Sequence, residues 1–109
     1  MRYLMMSKTP ADGYQPDENL YVEMGKFIEE LTASGVLLAT GGLDTNPVQL
    51  TSRDGEITVT DGPFAEAKEA VGGFALIEVR SKEEAIELGR RFLKITGDGE
   101  SVIQQVFGP

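Results

Sequence analysis

The chain contains no histidine, no cysteine and no tryptophan. Without imidazole, neither a Ser-His-Asp nor a Cys-His arrangement can form, so acid–base work must fall to Asp, Glu, Lys or Tyr. Without thiols there is no disulfide, no thiolate nucleophile and no Cys-ligated zinc. Metal use is therefore not expected, a carboxylate magnesium site being the one kind left open. No cofactor is implied either, because Gly41-Gly42 and Gly72-Gly73 lack the spacing of a nucleotide-binding loop. Positive charge is scarce: 10 Lys and Arg face 18 Asp and Glu, a net charge of −8. That balance disfavours nucleic acid and anionic membrane as partners, since both demand a basic surface. No apolar run is long enough to span a bilayer. Met1 to Met6 lacks the extended apolar stretch and cleavage site of a secretory signal, so the cytoplasm is the expected location.

What is present reads as one domain over residues 1–109, long enough for a small but real core. Arg2 to Lys8 reads as a strand, apolar in sequence at Tyr3, Leu4, Met5 and Met6. Thr9 to Gln15 holds Pro10, Asp12 and Gly13 and reads as a loop. A helix is predicted from Pro16 or Asp17 to Ser34. Leu20, Met24, Phe27, Ile28 and Leu31 make its buried stripe, and Gly35 suits its C-terminal cap. Val36 to Thr40 reads as a second strand, buried on both faces and ended by Gly41-Gly42. Val48 to Arg53 and Glu56 to Thr60 flank Asp54-Gly55, a strong hairpin signal. Gly73 to Arg80 alternates as a strand, with Gly72-Gly73 read as a bulge. Ser81 and Glu84 form a capping box for a helix over Lys82 to Ile95, and Ser101 to Phe107 closes the chain as a strand.

The order β-α-β-(β-hairpin)-β-α-β is the split βαβ, or ferredoxin-like, α+β plan: an antiparallel sheet with two helices on one face. Ala75, Ile77 and Val79 then lie beneath the helices, while Phe74, Leu76 and Glu78 point to a face no helix covers. At about 25 cal/mol per Å2, leaving that face wet forfeits several kcal/mol. Two remedies are open: a homodimer, sheet against sheet, which is the favoured one, or the inserted hairpin folded across the face of a monomer.

The residues able to carry chemistry gather around Asp61-Gly62-Pro63-Phe64. The turn itself reads mechanically: Asp61 accepts backbone N–H groups, Pro63 fixes φ, and Phe64 anchors. Glu66, Lys68 and Glu69 follow directly, and Arg53 and Glu78 are placed to join them. A carboxylate on an apolar face needs a cationic partner, so this cluster is either a site or the ion pairing of a dimer. Asp61, Lys68 and Glu78 are the catalytic candidates. Arg53, Glu66, Glu69 and Tyr3 are the ligand-binding ones, with Arg53 or Lys68 suited to a small anionic molecule. Tyr3 shares a strand face with Ser7 and reads first as core.

Asp61 to Glu69, Gly72-Gly73-Phe74 and Ile77-Glu78-Val79 together resemble the signature of the DGPF branch of the YCII-related proteins. The Tyr3-Leu4-Met5-Met6 start, the helix ending in Ser34-Gly35-Val36-Leu37 and the Ser81-x-x-Glu84-Ala85-Ile86 helix fit the same pattern. The resemblance implies a ferredoxin-like fold dimerised as an α/β barrel. Members of the wider group are proposed to use a His–Asp pair, of which this chain lacks the histidine. DGPF-type relatives also resemble companions of sigma factors. Two functions are thus in view: a small-molecule binding or catalytic pocket at the sheet face or dimer seam, and a non-catalytic protein-interaction module in a regulatory setting.

Overall fold

The computed structural model describes residues 1–10, 18–44, 46–61 and 69–108, and of residues 9, 10 and 69–71 the backbone alone. Its elements are β1 (Arg2–Pro10), α1 (Glu18–Ala33), β2 (Leu37–Gly42), β3 (Val48–Arg53), β4 (Glu56–Asp61), β5 (Glu69–Glu78), α2 (Lys82–Thr96) and β6 (Glu100–Val106). Strands β2, β5, β1 and β6 form a four-stranded sheet in that spatial order, with every pairing antiparallel. This is the order of the ferredoxin-like plan. Strands β3 and β4 form a separate two-stranded sheet. No helix among the described residues is long and apolar enough to cross a membrane.

Local chemistry explains most of the boundaries. Ser81 caps α2 by accepting the Glu84 backbone N–H at 3.1 Å. Glu84 reaches back to the backbone N–H of Arg80, one residue earlier than the expected partner, at 3.2 Å. Gly35, at φ 79°, lets the chain turn out of α1 while Val36 N–H bonds back to the Leu31 carbonyl. Asp54 and Gly55 both have positive φ, as a type I′ hairpin turn requires. Gly72 is the extra residue where the β1–β5 register jumps from Ser7–Gly73 to Lys8–Val71, so the expected bulge is present.

Two expectations need correction. Strand β2 is not buried on both faces: it is exposed from Leu38 onward, with Leu38 at 46%. Among the described residues it pairs with β5 alone and so forms a sheet edge, and its register shifts between Leu37 and Ala39. Gly41 and Gly42 are its last two residues, so the strand ends with them and not before them. Secondly, β1 runs on to Pro10 and β5 begins at Glu69, so the central ladder is longer at that end than the apolar pattern suggested.

The core lies on one face of the sheet. Tyr3, Met5, Ile77 and Val79 of the central strands meet Phe27 and Leu31 of α1 and Ala85 and Leu88 of α2, all buried. Both helices therefore cover the same side. Gly89 lets α2 sit close, since a Cβ there would meet Ile103 Cδ1 at 3.1 Å. The register puts Arg2, Leu4, Met6 and Lys8 of β1 on the opposite face with Phe74, Leu76 and Glu78 of β5 and Glu100, Val102, Gln104 and Val106 of β6.

The β3–β4 hairpin does not fold across that open face. Its strands pack on each other and hardly on the other described elements. The radius of gyration is 16.0 Å, against about 13 Å for a compact chain of this length.

Candidate functional site

Among the described residues, a concavity lies between α1 and the sheet, on the helix side. Its volume is about 510 Å3, within the roughly 300–1,000 Å3 of small-molecule sites. It exists because bulk is missing from one end of the sheet. Where β2 meets β5 the facing residues are Thr40, Gly41, Gly42, Gly73, Phe74 and Ala75, and Gly72 adjoins them; all line the hollow. The longer side chains of α1, Met24, Phe27 and Ile28, roof it from above. Among the described residues, the sheet side of the hollow is lined by small residues at this end and by Met5, Leu37 and Ile77 toward the core.

The lining is overwhelmingly apolar, with three hydroxyls. Ser7 Oγ, on β1, has no hydrogen-bond partner among the described residues. Thr40 Oγ1 donates to the Phe74 carbonyl at 2.8 Å, which leaves its lone pairs to accept. Tyr21 lies on α1 with 64% of its surface exposed, so its ring stands at the mouth. Among the described residues, no Asp, Glu, Lys or Arg lines the space. A smaller hollow of about 280 Å3 adjoins it past Tyr21 and Phe92, with Lys8, Asp98 and Glu100 at its border. Ser101, opposite Ser7 in the β1–β6 register, has a buried hydroxyl oxygen without a partner.

The two helices that close the site are tied together. Arg91 of α2 binds Glu30 of α1 at 2.6 Å, and its guanidinium lies 4.8 Å from the centre of the Phe27 ring. The Arg91 hydrogen bond holds the Glu30 carboxyl below the ordinary carboxylate value and raises Arg91 above its own.

The residues singled out in the sequence are dispersed. Tyr3 is a core residue, 4% exposed, and does not line the cavity. Glu78 sits on the open sheet face as expected, where it pairs with Arg2 at 3.4 Å and with the Met1 ammonium at 3.6 Å. Arg53 is exposed at the far end of β3, and Asp61 is exposed at the end of β4. Glu66 and Lys68 lie outside the described residues, as do Gly62, Pro63 and Phe64; Glu69 begins β5, its side chain not described. None of the four described candidates lines the cavity. Sequence reasoning missed Thr40 and Tyr21 and treated Ser7 only as a neighbour of Tyr3. The signal that could have found the site is the row of Gly and Ala on facing strands, which was read only as punctuation.

Fold and cavity together define a small α+β domain of the split βαβ plan that carries an apolar hollow under its first helix. The YCII-related domain matches residues 1–99, and the chain belongs to the YCII-related domain family. An uncharacterized protein of Rhizobium meliloti (strain 1021) is 34% identical over 86 residues, spanning 77% of this chain and 69% of that one. Among solved structures, 5-chloro-2-hydroxyhydroquinone dehydrochlorinase from Burkholderia phenoliruptrix AC1100, in complex with 2,5-dihydroxybenzoquinone, superposes with a TM-score of 0.50. It is 19% identical and covers 100% of this chain and 96% of its own. That likeness concerns the fold.

Proposed function

We propose that the chain binds a small, flat, uncharged ring compound in the cavity between α1 and the sheet. One observation carries the reading: a hollow of about 510 Å3 whose described lining is apolar apart from the hydroxyls of Ser7, Thr40 and Tyr21. Such a site rewards a ring for its apolar area and orients it through a few polar substituents. The glycines of β2 and β5 leave a flat backbone wall for the ring to lie on. The solved relative, of the same fold, holds a dihydroxylated quinone, which is consistent with a ligand of this size. If the site is catalytic, proton transfer at the described wall falls to Tyr21, Ser7 and Thr40. The small anionic ligand expected from Arg53 and Lys68 is the competing class.

The assay is a thermal-shift and ligand-observed NMR panel of hydroquinone, benzoquinone, catechol and benzoate. A ligand at a hundred times its Kd stabilises by about 2.7 kcal/mol, which raises Tm by several degrees. We expect the uncharged rings to bind wild type and to lose binding in Gly42→Val. Among the described residues a Cβ at Gly42 meets the Gly72 carbonyl alone, at 3.8 Å, so the strand tolerates the change while the hollow narrows. Failure of every ring to bind at millimolar concentration, or binding indifferent to Gly42→Val, would reject the site. Preference for benzoate would favour the anionic class.

We further propose that the chain is of the DGPF branch and pairs as a homodimer through its open sheet face, in the manner of an α/β barrel. Leu4, Met6, Phe74, Leu76 and Val102 supply apolar surface there. Arg2 and Lys8 balance Glu78 and Glu100, so a chain of net charge −8 meets its copy on a neutral patch.

A further inference from the structure

The β3–β4 hairpin alternates strictly. Val48, Leu50, Ile57 and Val59 share one face with Ser52 and Asp61; Gln49, Thr51, Arg53, Glu56, Thr58 and Thr60 form the other. The four apolar side chains are 54%, 66%, 68% and 65% exposed. Binary patterning of this kind specifies a half-buried sheet, yet nothing in the described chain covers it. A lone two-stranded hairpin is marginal in water, so the missing cover is part of what holds it together.

We infer that the hairpin is an arm whose apolar face packs on a second copy of the chain. The inference rests on the pairing proposed above and adds a contact that pairing by the sheet alone lacks. The chain is a plate 46 × 39 × 19 Å. Its thickness is that of one sheet and one helix layer, so the arm lies in the plane of the plate and folds over neither of its own faces. From strand spacing and rise, the open face of the four-stranded sheet offers a footprint of only about 500 Å2. A stable dimer needs about 800 Å2 per partner. Each arm adds about 200 Å2, and in a two-fold pair each chain both gives an arm and receives one, which brings the footprint to the required size. Charge points the same way: the apolar side of the arm bears one carboxylate, Asp61, at its base, whereas the rest of the chain is strongly acidic.

Sedimentation equilibrium of the full chain tests this. Leu50→Ser with Ile57→Ser should raise the dimer Kd at least tenfold, while Gln49→Ala with Thr60→Ala on the other side of the arm should leave it unchanged. Hydrogen exchange gives a reading without substitution: amides of residues 48–61 should gain protection as wild-type concentration rises through the Kd. A wild-type dimer whose Kd ignores Leu50 and Ile57, or whose arm amides show no concentration-dependent protection, overturns the arm and spares the pairing. A monomeric wild type overturns both and leaves the cavity reading untouched.

Discussion

Replacing Ile77 by alanine tests whether the helix layer stands off the sheet as described. Ile77 is 1% exposed, opposite Tyr3 of β1 and Leu37 of β2, and it borders the cavity. Three carbons are removed, a transfer loss of about 2.4 kcal/mol at roughly 0.8 kcal/mol each. Ile→Ala changes span about 2–5 kcal/mol, the excess reflecting how poorly a site collapses. Here α1 already leaves about 510 Å3 open beside the residue, so it has no means of settling into the new space. We therefore expect a loss of about 4 kcal/mol, in the upper part of that range. Domains of this size have about 5–15 kcal/mol in all, so the variant should still fold but melt some 15–25 °C lower. Urea unfolding followed by far-UV circular dichroism should show a lower midpoint at unchanged slope. Added benzene should recover part of the loss by filling the enlarged hollow. A loss below about 1 kcal/mol, the scale of Ile→Val, would mean that helix and sheet close freely over the site. The cavity would then not be a persistent feature of the fold, and the binding proposal would fall with it.

Ser81→Ala removes the N-cap of α2 and should cost about 1 kcal/mol, whereas Ser81→Gly should cost only a few tenths, both read from urea midpoints. Gly89→Leu drives a side chain into Ile103 and Met5 and should cost about 1–3 kcal/mol by the same measurement. The Glu30–Arg91 pair sets a pH dependence of known sign. Because the folded-state pKa of Glu30 is lowered, its contribution is present above the ordinary carboxylate value and is lost as pH falls through the lowered one. Wild type should therefore exceed Glu30→Gln slightly in stability at pH 7 and match it at pH 2. The pair is exposed to solvent, so 1 M salt should shrink the difference at pH 7. An unchanged gap at pH 2 would contradict this account.

Local signals were enough to read the element order. Helix periodicity, the Asp54-Gly55 turn, the Ser81 cap and the Gly72 bulge act over a few residues, and each appears in the structure. The status of β2 was not readable, because Val36 to Ala39 is apolar whether the strand is central or at an edge. Pairing decides that, and pairing is non-local. The hairpin was recognised from its alternation, but alternation says only that one side wants cover, not which surface supplies it. The cavity was hidden for a different reason. Charged side chains announce themselves in a sequence, whereas this hollow is made by Gly41, Gly42, Gly72, Gly73 and Ala75, residues notable for what they do not fill. Attention went to Arg53, Asp61 and Glu78, which the fold leaves apart.

The strand order also governs how the chain is assembled. Among the described residues, strand β1 finds its partners in β5 and β6, and β2 in β5. Until residue 69 and beyond have been made, the first and second strands have no partner strand among the described residues. Among the strand pairings of the described residues, only that of β3 with β4 is local enough to close within microseconds. The rest of the sheet must wait for contacts of high sequence separation, which slows folding and lengthens the time the apolar first strand stays open to chance encounters. Chaperone dependence during synthesis should therefore track the arrival of β5, the strand on which the whole sheet condenses.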